Sequence, residues 1–243
     1  MLARARGAES RRMITVVVPV LDEADEIAAT LASARDPEVG EVVVVDGGSR
    51  DATVAIARSL GHRVLDCPPG RAAQMNAGAA VATGDVLLFL HADTRLPAGF
   101  GGLVREALAR GAVAGRFDVA LRGRRRALAM VAAFMNLRSR LTRIATGDQA
   151  MFVRRDVFER LGGFRPIPLM EDVDLSRRLR AAGRYAALRA KVSTSGRRWE
   201  TYGVLRTIVL MWRLRLAFWW GVPAERLAAL YPRHGSDDTR VRK

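Results

Sequence analysis

The sequence has no second cysteine, no visible signal-peptide pattern and none of the common nucleotide-binding fingerprints. Cys67 is the only cysteine among 243 residues, which rules out an internal disulfide and fits a reducing compartment. The Arg-rich residues 1–12 are not followed by the apolar stretch of a signal peptide, so we expect a disordered extension there. Because neither a Gly-x-Gly-x-x-Gly fingerprint nor a Walker motif occurs, a Rossmann dehydrogenase and a P-loop NTPase are disfavoured.

Acidic residues are in the minority. The chain has 25 Asp and Glu against 40 Lys and Arg, a net charge of +15, and its 49% hydrophobic residues are typical of a globular protein. A positive field attracts nucleic acid, anionic lipid headgroups or phosphorylated small molecules. A non-catalytic nucleic-acid-binding module is therefore an alternative, but aromatic stacking platforms among basic strands are missing. We expect no nucleic-acid partner.

Hydrophobic runs of transmembrane quality are also lacking. The apolar segment 201–222 is interrupted by Arg206, Arg213 and Arg215, and a central arginine costs about 3 kcal/mol in a membrane span. We expect an amphipathic helix that docks on the protein or lies at a membrane surface. The expected location is cytoplasmic, with peripheral attachment to the inner face of the cell membrane as an open alternative. The predicted units are an extension (1–12), an α/β domain (13–200) and an amphipathic helical segment with a basic tail (201–243).

The rest of the chain is organised around the apolar run 86–90, which ends in His91-Ala92-Asp93. Such a short run after Gly84 is typical of a strand buried on both faces. Its carboxyl end would deliver an imidazole and a carboxylate to the sheet edge where open α/β folds bind ligands. In extended geometry the two side chains share one face, and an N/O pair suits a divalent ion that also holds phosphate. The ordinary alternative is an N-capping Asp beside a hydrogen-bonded His.

Strands and helices alternate along the chain, which predicts βαβ units and a mainly parallel sheet. The expected strands are 14–20, 41–45, 63–66, 86–90, 116–121, 150–153 and 185–193. The expected helices are 25–34, 52–60, one that starts near Arg71, 127–143, 155–161 and one from Glu171 to about Gly183.

Four polar groups are predicted on loops at one edge of this sheet: Asp46, Arg71 with Asn76, His91 with Asp93, and Glu171 with Asp172. The first three follow strands directly, which favours a common crevice at the carboxyl ends of the strands. The fourth opens a helix, where carboxylates are favoured anyway. Three acids within four residues, Glu171, Asp172 and Asp174, are nevertheless more than capping requires. This excess favours a carboxylate with a chemical role.

Six segments, in order, resemble the motifs of the family 2 glycosyltransferases. They are Val17-Val-Pro-Val-Leu-Asp-Glu23, Val45-Asp-Gly-Gly-Ser-Arg-Asp-Ala-Thr53, Gly70-Arg-Ala-Ala-Gln-Met-Asn-Ala-Gly78, His91-Ala-Asp93, Gly147-Asp148-Gln149 and Glu171-Asp172. The resemblance runs from about Ile14 to Trp199. Two further segments, Met135-Asn-Leu-Arg-Ser-Arg-Leu-Thr142 and Thr194-Ser-Gly-Arg-Arg-Trp199, are similar to the small bacterial branch named for arsenosugar biosynthesis.

The resemblance implies a GT-A fold, a three-layer α/β/α sandwich with a mainly parallel sheet and C-terminal amphipathic helices. It also implies an inverting transfer from a nucleoside-diphosphate sugar, UDP being favoured, to an acceptor hydroxyl. The nucleotide would be bound by Pro19, Leu21, Glu23, Asp46, Arg71, Asn76, His91, Ala92 and Asp93, with Asp46 reading the base. Asp93, with His91 at the family's first Asp position, would hold Mg²⁺ or Mn²⁺ at the diphosphate.

The other implied residues serve the acceptor and the chemistry. The acceptor, which could be lipophilic, would be faced by Gly147, Asp148, Gln149 and Trp199. Asp172 would be the general base, with Glu171 and Arg198 as further catalytic residues. The oligomeric state stays open. The rival enzyme class is a nucleotidyltransferase, which would typically need a Gly-rich, Lys- or Arg-bearing loop after the first strand, where Leu21-Asp22-Glu23 is acidic instead.

Overall fold

The structure is a computed structural model that describes residues 13–124 and 127–231. Its strands are β1 (Ile14–Val20), β2 (Val39–Asp46), β3 (Arg63–Asp66), β4 (Val86–Phe89), β5 (Thr94–Arg95), β6 (Ala112–Arg122), β7 (Met151–Arg154) and β8 (Arg184–Ser195). Its helices are α1 (Ala24–Ser33), α2 (Thr53–Ser59), α3 (Arg71–Ala80), α4 (Phe100–Ala109), α5 (Ala127–Thr142), α6 (Arg155–Arg160), α7 (Glu171–Ala182), α8 (Arg197–Tyr202), α9 (Val204–Trp219) and α10 (Ala224–Ala229). A 3₁₀ turn, Gly147–Gln149, follows α5. The strands form one sheet in the order β3-β2-β1-β4-β7-β6-β8-β5.

One half of the sheet is parallel, as the alternation of strands and helices predicts. β1 pairs in parallel with β2 and with β4, and β2 pairs in parallel with β3. Val16, Val17 and Val18 at the centre of β1 are fully buried, which is the signature of a strand covered on both faces. The carboxyl ends of these strands therefore point to one edge, where the predicted polar loops meet.

The other half of the sheet is mixed. β7 runs antiparallel to both β4 and β6, whereas β6 and β8 are parallel to each other and β5 is antiparallel to β8. The insertion of β7 beside β4 brings the start of β7, and with it the preceding 3₁₀ turn, to the end of β4. The acceptor motif predicted from the sequence thus lies beside His91 although the two are 56 positions apart in the chain.

Helices cover both faces of the sheet. Successive residues of a strand face opposite sides, and Val18 joins one core with Ile27 and Val131, while Val17 joins the other with Met75 and Leu175. Close packing on the second face requires Gly78 of α3, because a Cβ there would collide with the side chain of Val17. The predicted three-layer α/β/α architecture is confirmed.

Several local details differ from the prediction. Helix α4 had no predicted counterpart, and β6 and β8 extend beyond the predicted segments at both ends. The apolar segment 201–222 is not one helix, since Gly203 with a φ of 81° separates α8 from α9. Among the helices that the structure describes, none is both long and apolar enough to cross a bilayer. The predicted extension 1–12 and the tail beyond residue 231 lie outside the described residues.

A buried arginine is the unusual feature of the core. Arg116 on β6 is fully buried and forms an ion pair with Asp118, and it also donates to the carbonyl oxygen of Phe117. The second carboxylate oxygen of Asp118 accepts from Arg140 of α5 at 2.5 Å. Asn136 of α5 completes the contact by bonding both the N–H and the carbonyl oxygen of Val119. These polar bonds fix α5 in one register against β6.

Candidate active site

A pocket of about 260 Å³ lies at the sheet edge where α3, the end of β4, the 3₁₀ turn and the start of α7 meet. The residues that line it come from segments far apart in the chain. The lining residues are Arg71, Met75, Phe89, His91, Gly147, Met151, Phe164, Glu171 and Asp172.

Asp172 is held at the wall of the pocket by the 3₁₀ turn. The N–H of Gly147 donates to Oδ2 of Asp172 at 2.7 Å, and the N–H of Val173 donates to Oδ1 at 2.7 Å. A carboxylate has about four lone-pair sites, so both oxygens keep capacity to accept another proton or hydrogen bond. Met170, which precedes helix α7, has a left-handed φ of 68°, and this turns the helix start toward the pocket.

Glu171 lies beside Asp172 but is more deeply buried, with 3% of its surface exposed. Burial raises the pKa of Glu171 and the neighbouring Asp172 carboxylate raises it further, whereas the Arg71 guanidinium opposes both. The Arg71 contact is long, at 3.4 Å, and Arg71 is 44% exposed, so the ion pair is worth little energy but links α3 to α7. Two adjacent carboxyl groups with different environments can carry different roles.

His91 contributes an uncharged imidazole to the pocket. Its Nε2 atom is buried and finds no hydrogen-bond partner among the described residues. Burial lowers the pKa of His91 well below its ordinary value, and the cations Arg71 and Arg198 lower it further. A neutral ring with an unpaired nitrogen is suited to a ligand contact, since an unpaired buried polar atom is otherwise costly.

Gly147 leaves room for this ring. A Cβ atom at Gly147 would collide with Nε2 of His91. We expect Gly147→Ala to displace the ring and to lower the free energy of unfolding by about 1–3 kcal/mol. Activity should fall as well, measured by initial rates beside urea denaturation. Gly102→Ala is the matched control, because that position in α4 has open space for a Cβ and should be neutral or stabilising.

Asp93 lies in a turn, contrary to the extended geometry that the prediction of a shared face assumed. Residues 91–93 are not extended, because the N–H of Thr94 donates to the carbonyl oxygen of His91 and closes a turn. The Asp93 carboxylate receives only long contacts, 3.4 Å from Thr94 Oγ1 and 3.5 Å from Thr194 Oγ1. Arg122 of β6 anchors the Asp93 backbone by donating to its carbonyl oxygen at 3.0 Å.

Asp46 closes its own loop rather than lining the pocket. It is 5% exposed, and its carboxylate accepts from the N–H groups of Gly48 and Ser49 and from Ser49 Oγ at 2.5 Å. This loop is tied to the one after β1, since Ser49 Oγ accepts from the N–H of Asp22. Asp46, which was predicted to read the base, therefore lies at the carboxyl end of β2 in a loop held by hydrogen bonds and does not line the pocket.

The segment after β1 meets the C-terminal part of the chain. Glu23 accepts from Arg197 of α8 at 2.7 Å, a bond between residues 174 positions apart. Burial raises the pKa of Glu23, and the Arg197 hydrogen bond works against this. Pro19 pairs with Val45 inside the sheet, and Leu21 is 44% exposed. These predicted nucleotide residues line the edge near Asp93, which adds to the negative potential around Glu23.

Helix α3 shows one predicted residue in a supporting position and one residue that the prediction missed. Asn76 bonds both the N–H and the carbonyl oxygen of Phe164, so it holds a pocket-lining segment instead of facing the pocket. Gln74 was not singled out. Its Nε2 donates to the carbonyl oxygens of Val20 and Val45, and so joins the ends of β1 and β2. A polar residue on the buried face of a helix was the available signal.

The predicted acceptor segment lies next to Asp172. Thr146 Oγ1 donates to Asp148 at 2.5 Å, and the Asp148 carboxyl is buried, which raises its pKa. Gln149 is fully buried within the capping box of the 3₁₀ turn. Arg138 of α5 faces Asp148 and Asp172 from the other side, and burial lowers the pKa of Arg138 to about 10. The turn is thus surrounded by charges of both signs.

Arg198 and Trp199 of α8 complete the surroundings. Arg198 stacks over the ring of Tyr231 at 4.6 Å. Burial lowers the pKa of Arg198, and the nearby charge of Arg71 lowers it further. Its field reaches Asp148 and Asp93, which places it between the turn and the loop after β4. Trp199 packs partly buried against the core of the first face. Within the described residues, no group of three or more His, Cys, Asp or Glu side chains forms a preassembled metal cage.

Comparison with known proteins assigns this architecture. The model of glycosyl transferase family 2 matches residues 15–162, more than half of the chain. The chain belongs to glycosyltransferase family 2. Membership of this family disfavours the nucleotidyltransferase and nucleic-acid-binding alternatives. The match includes the segments around Asp46, Arg71 and Asp93, while Asp172 lies beyond it.

Curated relatives match only in part. The PGL/p-HBAD biosynthesis glycosyltransferase of Mycobacterium tuberculosis is 40% identical over 93 residues, which are 35% of this chain and 36% of that protein. The glucosyl-3-phosphoglycerate synthase of Mycolicibacterium paratuberculosis is 33% identical over 104 residues, 38% of this chain and 32% of that protein. The chain thus spans about a third of the length of these relatives. The arsenosugar-type branch stays a prediction.

Solved structures confirm the fold at low sequence identity. The glucosyl-3-phosphoglycerate synthase from Mycobacterium tuberculosis, in complex with Mn²⁺, UDP and phosphoglyceric acid, has a TM-score of 0.62 at 22% identity, covering 87% of this chain and 80% of that one. The similar solved structures have the GT-A fold, so the predicted GT-A fold is confirmed.

Proposed function

We propose that this glycosyltransferase transfers a sugar from a nucleoside-diphosphate sugar, UDP being favoured, to an acceptor hydroxyl with inversion at the anomeric carbon. The observation that carries the proposal is the pocket in which Asp172, held by the N–H of Gly147, faces His91 and Arg71. A similar fold in complex with Mn²⁺, UDP and a small acid supports the donor class. The acceptor is proposed only as a hydroxyl compound.

Asp172 is the proposed general base. It would accept the proton of the acceptor hydroxyl as that oxygen attacks the anomeric carbon and the bond to the diphosphate breaks on the opposite side. One displacement of this kind inverts the anomeric centre. The two hydrogen bonds from Gly147 and Val173 fix the carboxylate orientation, which lowers the entropic cost of reaching the attack geometry.

Arg71, which is paired with Glu171, and Arg198 would stabilise the negative charge that develops on the leaving diphosphate. Arg71 lines the pocket, contacts the Glu171 carboxylate and is 44% exposed, so it is available to the leaving diphosphate as negative charge gathers there. Arg198 adds a second cation close to Arg71. Two guanidinium groups held close together repel each other, so an anion between them is favourable. This charge arrangement supports a diphosphate as the leaving group.

The residues present fit a divalent cation. The Asp93 carboxylate has only the two long hydroxyl contacts, so it is chemically able to serve as a ligand, whereas the unpaired Nε2 of His91 is buried against Gly147. Mg²⁺ usually binds one or two carboxylates plus substrate phosphates rather than an all-protein cage, which agrees with the lack of a preformed cluster in the described residues. When bound, such a cation neutralises charge on the diphosphate.

Asp93→Ala should remove the metal dependence of nucleotide binding. We expect UDP affinity in the presence of Mn²⁺ to fall by about tenfold or more and to become insensitive to chelator. Isothermal titration with and without Mn²⁺ measures both effects. Asp85→Ala is the matched control, because Asp85 precedes the other end of β4 and is exposed. Unchanged metal-dependent affinity in Asp93→Ala would remove Asp93 from the site.

A donor screen tests the function itself. Slow hydrolysis of UDP-, GDP- and dTDP-sugars, with Mn²⁺ or Mg²⁺, should show turnover of at least one UDP-sugar. Product configuration read by NMR then decides between inversion and retention. Absence of turnover with all donors, together with salt-dependent binding to random DNA, would favour the nucleic-acid-binding alternative.

A further inference from the structure

Helices α5 and α9 expose apolar side chains along their outward sides. The exposed positions recur every three or four residues, which places them on one stripe of each helix. We call this surface the apolar face; it consists of Met130, Phe134, Leu137 and Leu141 of α5 and Leu205, Val209, Trp212, Leu216, Trp219 and Trp220 at α9. It holds ten of the thirteen large hydrophobic side chains that are exposed in the described residues.

The apolar face is not the side by which these helices pack. Helix α5 buries Leu128, Val131 and Met135 against the sheet, and α9 buries Thr207 and Leu214. An ordinary surface helix has one apolar stripe toward the core and polar residues opposite. Here the side opposite the core is apolar as well, which indicates a contact with something outside the chain segment that the structure describes.

The two stripes form one surface. The rings of Phe134 and Trp212 lie 5.9 Å apart, which joins the middle of α5 to the middle of α9. Trp219 and Trp220, 70% and 71% exposed, extend the surface at the end of α9. Tryptophan is enriched where a protein meets the headgroup region of a bilayer, because its ring is apolar with one polar edge.

Charge around the apolar face matches an anionic surface. Arg206 and Arg213 of α9 are exposed and follow the apolar stripe along one side, and Arg143 is exposed at the end of α5. The chain as a whole carries +15. Acidic lipid headgroups attract such a surface, with each nearby arginine contributing about 1 kcal/mol. Two copies of this chain would instead repel each other, so a self-association face is disfavoured.

We propose that the apolar face docks on the surface of an anionic lipid bilayer, with the Trp and Leu side chains at the headgroup boundary. Docking of this kind requires no spanning segment and scales with buried apolar area plus charge. The inner sides of the same helices carry Arg138 and Arg215, whose charges act on the Asp148 carboxyl of the 3₁₀ turn. The bilayer would therefore lie about one helix diameter, 10–12 Å, from that turn. Only this last placement depends on the proposed function.

Vesicle binding tests the proposal directly. The full chain should co-float with phosphatidylcholine vesicles that contain about 30% phosphatidylglycerol, and bind more weakly to neutral vesicles or in high salt. Tryptophan emission should shift to the blue on binding, because Trp212, Trp219 and Trp220 leave water.

The double variant Trp219→Ser/Trp220→Ser should reduce the partition coefficient by about tenfold or more. Arg206→Glu/Arg213→Glu should abolish the preference for anionic vesicles.

Leu60→Ser is the matched control, since Leu60 is an exposed leucine at the end of α2, outside the apolar face. It should bind vesicles like the parent chain, and all variants should keep the parent far-UV circular dichroism spectrum. Binding that survives the tryptophan double variant, or no binding at low salt, would overturn the proposal. A concentration-dependent dimer that the same variant dissociates would assign the face to a second copy instead.

Discussion

Asp172→Asn should lower kcat by about 10²–10⁴-fold while UDP binding stays close to that of the parent protein. The amide has nearly the shape of the carboxylate, and its one oxygen can keep one of the two backbone hydrogen bonds, that from the N–H of Gly147, while the bond from Val173 is lost. It cannot take up a proton from the acceptor. The measurement is a steady-state rate with the best donor of the screen, beside UDP titration by calorimetry.

Two neighbouring acids serve as controls for this variant. Asp174→Asn alters the same helix turn, but its carboxylate is occupied by Arg165 and Arg178 and does not line the pocket, so turnover should be near normal. Glu171→Gln removes the charged partner of Arg71 and should lower kcat by less than Asp172→Asn does. Equal loss of UDP binding and turnover in Asp172→Asn, or full activity, would contradict the role of Asp172 as the base.

Asp118→Ala should be the most destabilising single substitution among the polar core residues, lowering the free energy of unfolding by about 3–5 kcal/mol. It would leave the guanidinium of Arg116 buried at 0% exposure without its carboxylate and would release Arg140 of α5. Removing one member of a buried pair is costly because the remaining charge is not solvated. Urea denaturation followed by circular dichroism measures the change.

Two further variants show whether the loss of stability in Asp118→Ala comes from the buried charge of Arg116 or from breaking any ion pair. Glu106→Ala breaks an exposed pair with Arg110 on α4 and should cost less than about 1 kcal/mol. The double variant Arg116→Met/Asp118→Leu removes both buried charges and should recover much of the loss, since apolar replacements of a buried pair are often neutral. A cost for Asp118→Ala similar to that of Glu106→Ala would show that Arg116 is solvated.

Local sequence patterns were sufficient for most of the parallel half of the fold. The β-branched run of β1 and the short β3 have the predicted bounds, because apolar runs between turn residues determine both. Pairing was not predictable in the same way. Nothing local indicates that β7 inserts antiparallel between β4 and β6, since that depends on contacts between distant segments. The break at Gly203 depends on a positive φ that an apolar pattern does not reveal.

The sequence motifs identified candidate site residues, but they did not predict how those side chains are arranged in space. Arg71, His91, Gly147, Glu171 and Asp172 line one pocket, whereas Asp46, Asn76 and Asp93, which were predicted to share it, do not. The assumed extended geometry at residues 91–93 was wrong, because a turn sends Asp93 toward Thr194 instead. Arg122 was missed as a support for Asp93, since an arginine in a basic segment looks like surface charge until β6 is placed beside the loop.

A crystal structure with UDP and Mn²⁺, with the metal located by anomalous scattering, tests most directly whether these separate loops form one donor site. The account predicts a manganese peak beside Asp93 and the diphosphate, the uracil near the Asp46 loop, and Asp172 free across the pocket. Nucleotide density in another cleft, with no metal near Asp93, would contradict it.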